Sequence, residues 1–113
     1  MTYILDMEFI ETLNFATSIY NYLDDDAYFD LQLALIEQPD KGDIIKGGGG
    51  IRKLRFAAKG KGKRGGVRVI YYWLSESGQI YLLHIYSKSA KDNLTSNELA
   101  ELRSLVKEIK DGK

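Results

Sequence analysis

The sequence predicts an α+β fold: a small antiparallel sheet in the order β-α-α-β-β-β-α, with helices packed on one face. Three observations point there. Apolar residues recur at helical spacing in the first 40 positions; two nearly continuous β-branched and aromatic runs follow a Gly-rich stretch; a capped amphipathic segment closes the chain. At 113 residues the chain has the length of one domain, residues 1–113, with room for a single core.

Thr2 to Met7 (Thr-Tyr-Ile-Leu-Asp-Met) reads as a short first strand. From Glu8, Ile10, Leu13, Phe15, Ile19 and Tyr20 fall at mixed helical spacing. Asp24 or Asp25 can cap a second helix, Asp26 to Glu37, with acids in its first turn where the helix dipole favours them. It carries Phe29, Leu33 and Ile36 on one stripe, with Tyr28, Leu31 and Leu35 on the flank. Pro39 stops it. The period then changes. Ile51 to Ala58 alternates, with Leu54 and Phe56 pointing one way and Lys53 and Arg55 the other. Gly60 to Gly66 reads as a loop. Val67 to Ser75 is a strand, and Glu76-Ser77-Gly78 turns it into another, Gln79 to Ser87. Both are apolar almost throughout, which suits central strands. Thr95-Ser96-Asn97-Glu98 is a capping box opening a last helix, Ser96 to Lys110, with Leu99, Leu102, Val106 and Ile109 on its apolar face.

Composition narrows the chemistry. Cysteine is absent, which removes thiolate nucleophiles, disulfides and Cys-based zinc sites and fits a reducing cytoplasm. A single histidine, His84, leaves no two-histidine nuclease and no His-rich metal site, so no metal or other cofactor is expected. No apolar run approaches the roughly 18 residues of a membrane span, and no signal peptide is expected.

A net charge of zero conceals a polarised chain. The first 40 residues carry nine Asp/Glu and no Lys or Arg; Lys41 to Arg68 carries ten Lys/Arg and one acid, Asp43. Clustered cations with glycines that allow close backbone approach suit a polyanion, and nucleic acid is the first candidate. A hairpin between the Ile51–Ala58 and Val67–Ser75 strands would bring Arg68 within reach of Lys53 or Arg55. No acid nearby in sequence relieves their repulsion, so a bound anion would complete the cluster; the plainer reading is a solvated basic face. Arg52, the loop cations Lys59, Lys61, Lys63 and Arg64, and Tyr72 as a stacking surface are candidate RNA contacts. Trp73 is expected in the core. Gly47–Gly50 is either a phosphate-cradling run or a bend before a strand, without the P-loop pattern. His84 is expected to be a structural histidine, and the Asp24–Asp26 run a helix cap.

Gly42 to Tyr72 (Gly-Asp-Ile-Ile-Lys-Gly-Gly-Gly-Gly-Ile-Arg-Lys-Leu-Arg-Phe-Ala-Ala-Lys-Gly-Lys-Gly-Lys-Arg-Gly-Gly-Val-Arg-Val-Ile-Tyr-Tyr) resembles the signature of HigB-type toxins of the RelE/ParE superfamily. Pro39, and Leu83 to Lys88 followed by Asp92-Asn93-Leu94-Thr95, resemble that family too. The resemblance implies a RelE-like fold and the toxin of a type II toxin–antitoxin pair. Its expected partners are a cognate antitoxin and mRNA in the ribosomal A site. The implied reaction is cleavage by attack of the ribose 2′-OH on the adjacent phosphate. Carried over by position, Lys53, Arg55, Arg68 and Lys88 are the catalytic candidates, with Lys53 as base and Arg55 and Arg68 holding the phosphate. The family's C-terminal tyrosine has no counterpart here, and Tyr86 or Tyr72 would have to stand in. The last helix is expected to be a cover or an antitoxin docking surface. Two other functions stay open: a ParE-like gyrase poison on the same fold, and a non-catalytic RNA-binding module.

Overall fold

The computed structural model describes residues 7–57 and 66–112. The expected strand at Thr2–Met7 lies outside them apart from Met7, which is not in a strand. The first strand is instead β1, Glu8–Glu11, where the sequence suggested a helix start. Thr12 explains the shift. Its hydroxyl accepts from the Phe15 backbone N–H and caps α1, Leu13–Ser18, so the helix begins only there. The same hydroxyl donates to the Leu83 carbonyl at 2.9 Å and ties the helix start to the sheet.

After a 3-10 turn at Ile19–Asn21, Asp24 caps α2, Asp25–Glu37. Then come β2 (Asp43–Ile44), β3 (Arg52–Phe56), β4 (Val67–Leu74), β5 (Gln79–Ser87) and α3 (Ser96–Asp111). The capping box at Thr95 and Glu98 is present. The sheet order is β1-β5-β4-β3-β2. The two apolar strands are therefore interior, as their composition predicts. The sheet is mixed rather than wholly antiparallel, because β1 runs parallel to β5.

Helices cover both faces of the sheet, not one. On one side α1 and α2 pack Phe15, Ile19, Leu31 and Leu35 against Leu54, Val69, Tyr71 and Leu82. On the other, α3 packs Leu102, Leu105, Val106 and Ile109 against Ile51, Ile70, Tyr72 and Leu83. The reason lies in β4. It is apolar at successive positions, so each face must be shielded from water. A register shift opposite Ile70 and Tyr71 leaves Leu83 as an extra residue in β5. Leu83 thus joins the α3 cluster, while Leu82 and Ile85 serve the other face.

The Gly47–Gly50 segment is a bend that anchors α3. Its carbonyls accept from Arg103 Nη1 (Gly47, 3.0 Å) and Lys110 Nζ (Gly49, 3.0 Å). Gly50 has φ of +111°, and a Cβ there would lie 3.0 Å from the Tyr72 ring. A side chain is therefore excluded on both conformational and steric grounds.

The buried stripe of α2 is Ala27, Tyr28, Leu31 and Leu35. Phe29 and Leu33, assigned to the principal stripe from spacing, are 59% and 40% exposed. Both stripes have helical periodicity, and only the docking angle of the helix selects between them. Leu31→Ala should therefore destabilise the protein by roughly 2–5 kcal/mol, whereas Phe29→Ala should stay within about 0.5 kcal/mol of the parent. Urea unfolding midpoints at constant m-value check both.

Candidate functional site

Strand alternation places Lys53 and Arg55 on the α3 side of β3, opposite Leu54 and Phe56. The β3–β4 register pairs Arg55 directly with Arg68, and the β4–β5 register pairs Arg68 with Tyr86. Arg55, Arg68 and Tyr86 thus form one cross-strand row. Lys53 lies two residues along β3, opposite Ile70. Among these groups Arg68 is the most enclosed, at 3% exposure.

The segment between β5 and α3 folds back over this row. Its turn is held by backbone hydrogen bonds from Ala90 and Lys91 to the Ser87 carbonyl. It delivers Asp92 to three donors. The Asp92 carboxylate lies 3.3 Å from Arg68 Nη2. The Asp92 carbonyl accepts from Lys53 Nζ and from the Tyr86 hydroxyl, each at 3.3 Å. Asn93 Oδ1 accepts from Lys53 Nζ at 2.8 Å. On the exposed flank, Arg55 Nη1 meets Asp43 Oδ2 at 3.4 Å, because β2 sets Asp43 opposite Lys53. The expectation of a cation cluster unrelieved by acids is therefore corrected. Asp43 and Asp92 relieve it, one through an unforeseen two-residue strand and the other through a turn.

Burial pushes the Tyr86 phenol up; the neighbouring Arg68 pulls it down, while Asp92 and Glu98 add to the rise. Tyr86 therefore remains protonated near neutrality and serves as a donor. Lys91 ties the turn to α3, with Nζ 2.5 and 2.6 Å from the two Glu98 oxygens. It also lies 5.0 Å from the centre of the Tyr86 ring. Chemically, the arrangement gathers a guanidinium, an amine and a phenol around one aspartate.

The remaining sequence candidates divide. Lys88 is exposed just past the end of β5, and its backbone N–H donates to the Gly66 carbonyl at 3.2 Å. Arg52 has even parity on β3 and turns to the opposite face. There it donates to the carbonyls of Gly42 (2.7 Å) and Asp40 (3.2 Å). Tyr71 secures the same turn, accepting from Gly42 N–H at 2.9 Å and donating to Pro39 O at 2.7 Å. Tyr72 is 7% exposed within the α3 cluster, with Lys110 Nζ 5.7 Å from its ring centre. Arg52 and Tyr72 therefore lie outside the row. Trp73 packs against the α2-side core, as expected. Lys59, Lys61, Lys63 and Arg64 lie outside the described residues. The sequence reading passed over Asp92 and Asn93 as site residues. Their signals were their place in the Asp92-Asn93-Leu94-Thr95 run that resembles the family and their polarity soon after an apolar strand.

Away from this row, a concavity of about 220 Å³ lies between α1, β5 and α3, lined by Thr12, Asn14, Leu83, His84, Glu98 and Leu102 among others. At its rim His84 Nδ1 is 2.9 Å from Asn14 Oδ1, and Nε2 is 3.9 Å from Glu98 Oε2. His84 thus joins α1 to α3, the structural role expected of it. Burial lowers its pKa from the ordinary 6.5; Glu98 opposes this, and Lys91 reinforces it.

A family model for the RelE toxin of the RelE/RelB toxin–antitoxin system matches residues 27–113. Among solved structures, the fold resembles the E. coli toxin RelE, a double arginine-to-alanine mutant in the free state. The TM-score is 0.57 at 12% identity, covering 86% of this chain and 97% of that one. The intact E. coli RelBE toxin–antitoxin complex gives a TM-score of 0.49 at 13% identity, covering 72% of this chain and 95% of that chain.

The His84 bridge gives stability a pH dependence. Its folded pKa lies below 6.5, so the unfolded chain takes up the proton first as pH falls. The contribution is complete above pH 6.5 and declines as the pH drops toward the folded value. Glu98 also has a lowered pKa, but its contribution is lost only below its ordinary 4.5. Urea unfolding between these two values should show a stability decline that His84→Gln flattens.

Proposed function

The chain belongs to the RelE toxin family, and from that premise we propose that it is a ribosome-dependent mRNA endoribonuclease of the HigB type. It acts in the cytoplasm and is held in check by a cognate antitoxin. The 2′-OH of one nucleotide attacks the adjacent phosphorus, the bond to the 5′ oxygen of the next nucleotide breaks, and a cyclic phosphate and a 5′-hydroxyl result. The observation that carries this reading is the convergence of Lys53 Nζ, the Tyr86 hydroxyl and the Arg68 guanidinium on one residue, Asp92. Arg55 flanks them in the same row.

In this scheme Arg68 and Arg55 bind the phosphate and stabilise the extra charge of the pentacoordinate transition state. Lys53 accepts the 2′-OH proton. Tyr86, kept protonated by burial, donates to the departing 5′ oxygen and fills the role of the tyrosine missing from the C-terminal segment. Lys88 lies at the same end of the sheet, one residue beyond the Ser87–Val67 pair, and provides a further cation for the RNA backbone.

Single-turnover cleavage of mRNA on programmed ribosomes tests the roles. Arg68→Ala should lower the rate about 10²–10³-fold, the usual effect of losing one donor to a developing oxyanion. Arg68→Lys should also be impaired, because an ammonium lacks the planar fork. Lys53→Arg puts a cation that cannot take up a proton in place of the amine, so it should fall nearly as far as Lys53→Ala. A Lys53→Arg rate near the parent value would reduce Lys53 to an electrostatic role.

A further inference from the structure

The contacts around Asp92 have a consequence for how substrate enters. A carboxylate and a phosphodiester each carry one negative charge, and Asp92 holds Arg68, which the cleavage reading assigns to the phosphate, together with Lys53 and Tyr86, which it assigns to the two proton transfers. Arg68 is 3% exposed, while the Asp92 side chain is 54% exposed. An incoming phosphate that takes Arg68 Nη2 must take the place of the Asp92 carboxylate. The contact, at 3.3 Å, is longer than the 2.7–2.9 Å of a tight charge-assisted hydrogen bond.

We propose that Asp92 is an internal stand-in for the RNA phosphate, and that the turn from Lys88 to Leu94 is a gate that opens when a phosphodiester replaces it. The exchange leaves the net charge at Arg68 unchanged, so the buried guanidinium keeps an anion in both states. The hinge side of the gate is the Ser87 cap, where the Ser87 carbonyl and hydroxyl gather the backbone N–H groups of Ala90 and Lys91. The latch is Lys91, paired with Glu98 on the first turn of α3. Opening the gate breaks the Lys91–Glu98 pair that ties the turn to α3. This inference rests on reading the Arg55–Arg68–Tyr86 row as a phosphodiester site.

The test is the affinity of the full chain for a short single-stranded RNA carrying 2′-O-methyl groups, which binds but cannot be cleaved. Asp92→Asn keeps the shape and backbone carbonyl but removes the competing charge. It should bind about tenfold more tightly, the worth of one charge-assisted hydrogen bond. The log–log salt slope should steepen by about 0.7, one more phosphate contact. Glu98→Gln keeps a capping-box residue type but loses the charge of the Lys91 latch, and should tighten binding in the same direction. It carries the test if Asp92→Asn does not fold. Asp43→Asn removes an equal charge from exposed Arg55 without freeing Arg68, and should tighten binding less.

Unchanged or weaker binding by Asp92→Asn would overturn the gate, as would equal tightening by Asp43→Asn. Cleavage on ribosomes is scored separately. Tighter binding without cleavage in any variant would uphold the gate and sink the nuclease; cleavage without tighter binding would do the reverse.

Discussion

The polar end of the α3 side of the sheet is arranged around one constraint, a guanidinium buried in an interior strand. Arg68 sits in β4, between β3 and β5, at 3% exposure. A buried charge stripped of its partner costs about 3–5 kcal/mol, so an anion has to be present whether or not a ligand is bound. Asp92 supplies it, and the turn that carries Asp92 must then pass over the cross-strand row. The same turn hands its Lys91 to Glu98, and Glu98 closes the capping box that begins α3. The buried arginine, the turn and the helix start form one connected unit.

The mixed sheet makes that unit possible. With β1 added parallel to β5, both apolar strands are interior and need cover on both faces. The α1–α2 face holds the larger apolar cluster, with Arg52 at its β3 edge bonded to the carbonyls of Asp40 and Gly42. The α3 face is apolar only where the helix lies, and it gives way to Arg55, Arg68 and Tyr86 where β3 ends and β4 begins. That change of character along one sheet face separates the core from the candidate site.

Much of this was legible because strand alternation is a strict rule. The opposition of Lys53 and Arg55 to Leu54 and Phe56 followed from spacing alone; a hairpin between the two strands put Arg68 near Lys53 or Arg55, and the register selects Arg55. The Thr95 capping box and the central position of the apolar strands were equally plain. What escaped depends on tertiary choice. Two stripes of α2 had helical periodicity, and packing buried the one carrying Leu31. Arg52 was one residue from Lys53, and parity sent it to the opposite face to bind the Gly42 carbonyl. Glu8–Glu11 is too short to show a period, and its parallel partner lies some 70 residues on in β5. Asp92 was invisible as a partner of Arg68 because nothing in a linear spacing tells a turn which way to fold.

The most direct test of the central claim is to map mRNA 5′ ends in bacteria after brief induction of this chain, beside Arg68→Ala. The account requires new 5′ ends inside translated frames with the parent chain and their loss with Arg68→Ala. Growth arrest with no new ends, or the same ends with both proteins, would contradict it.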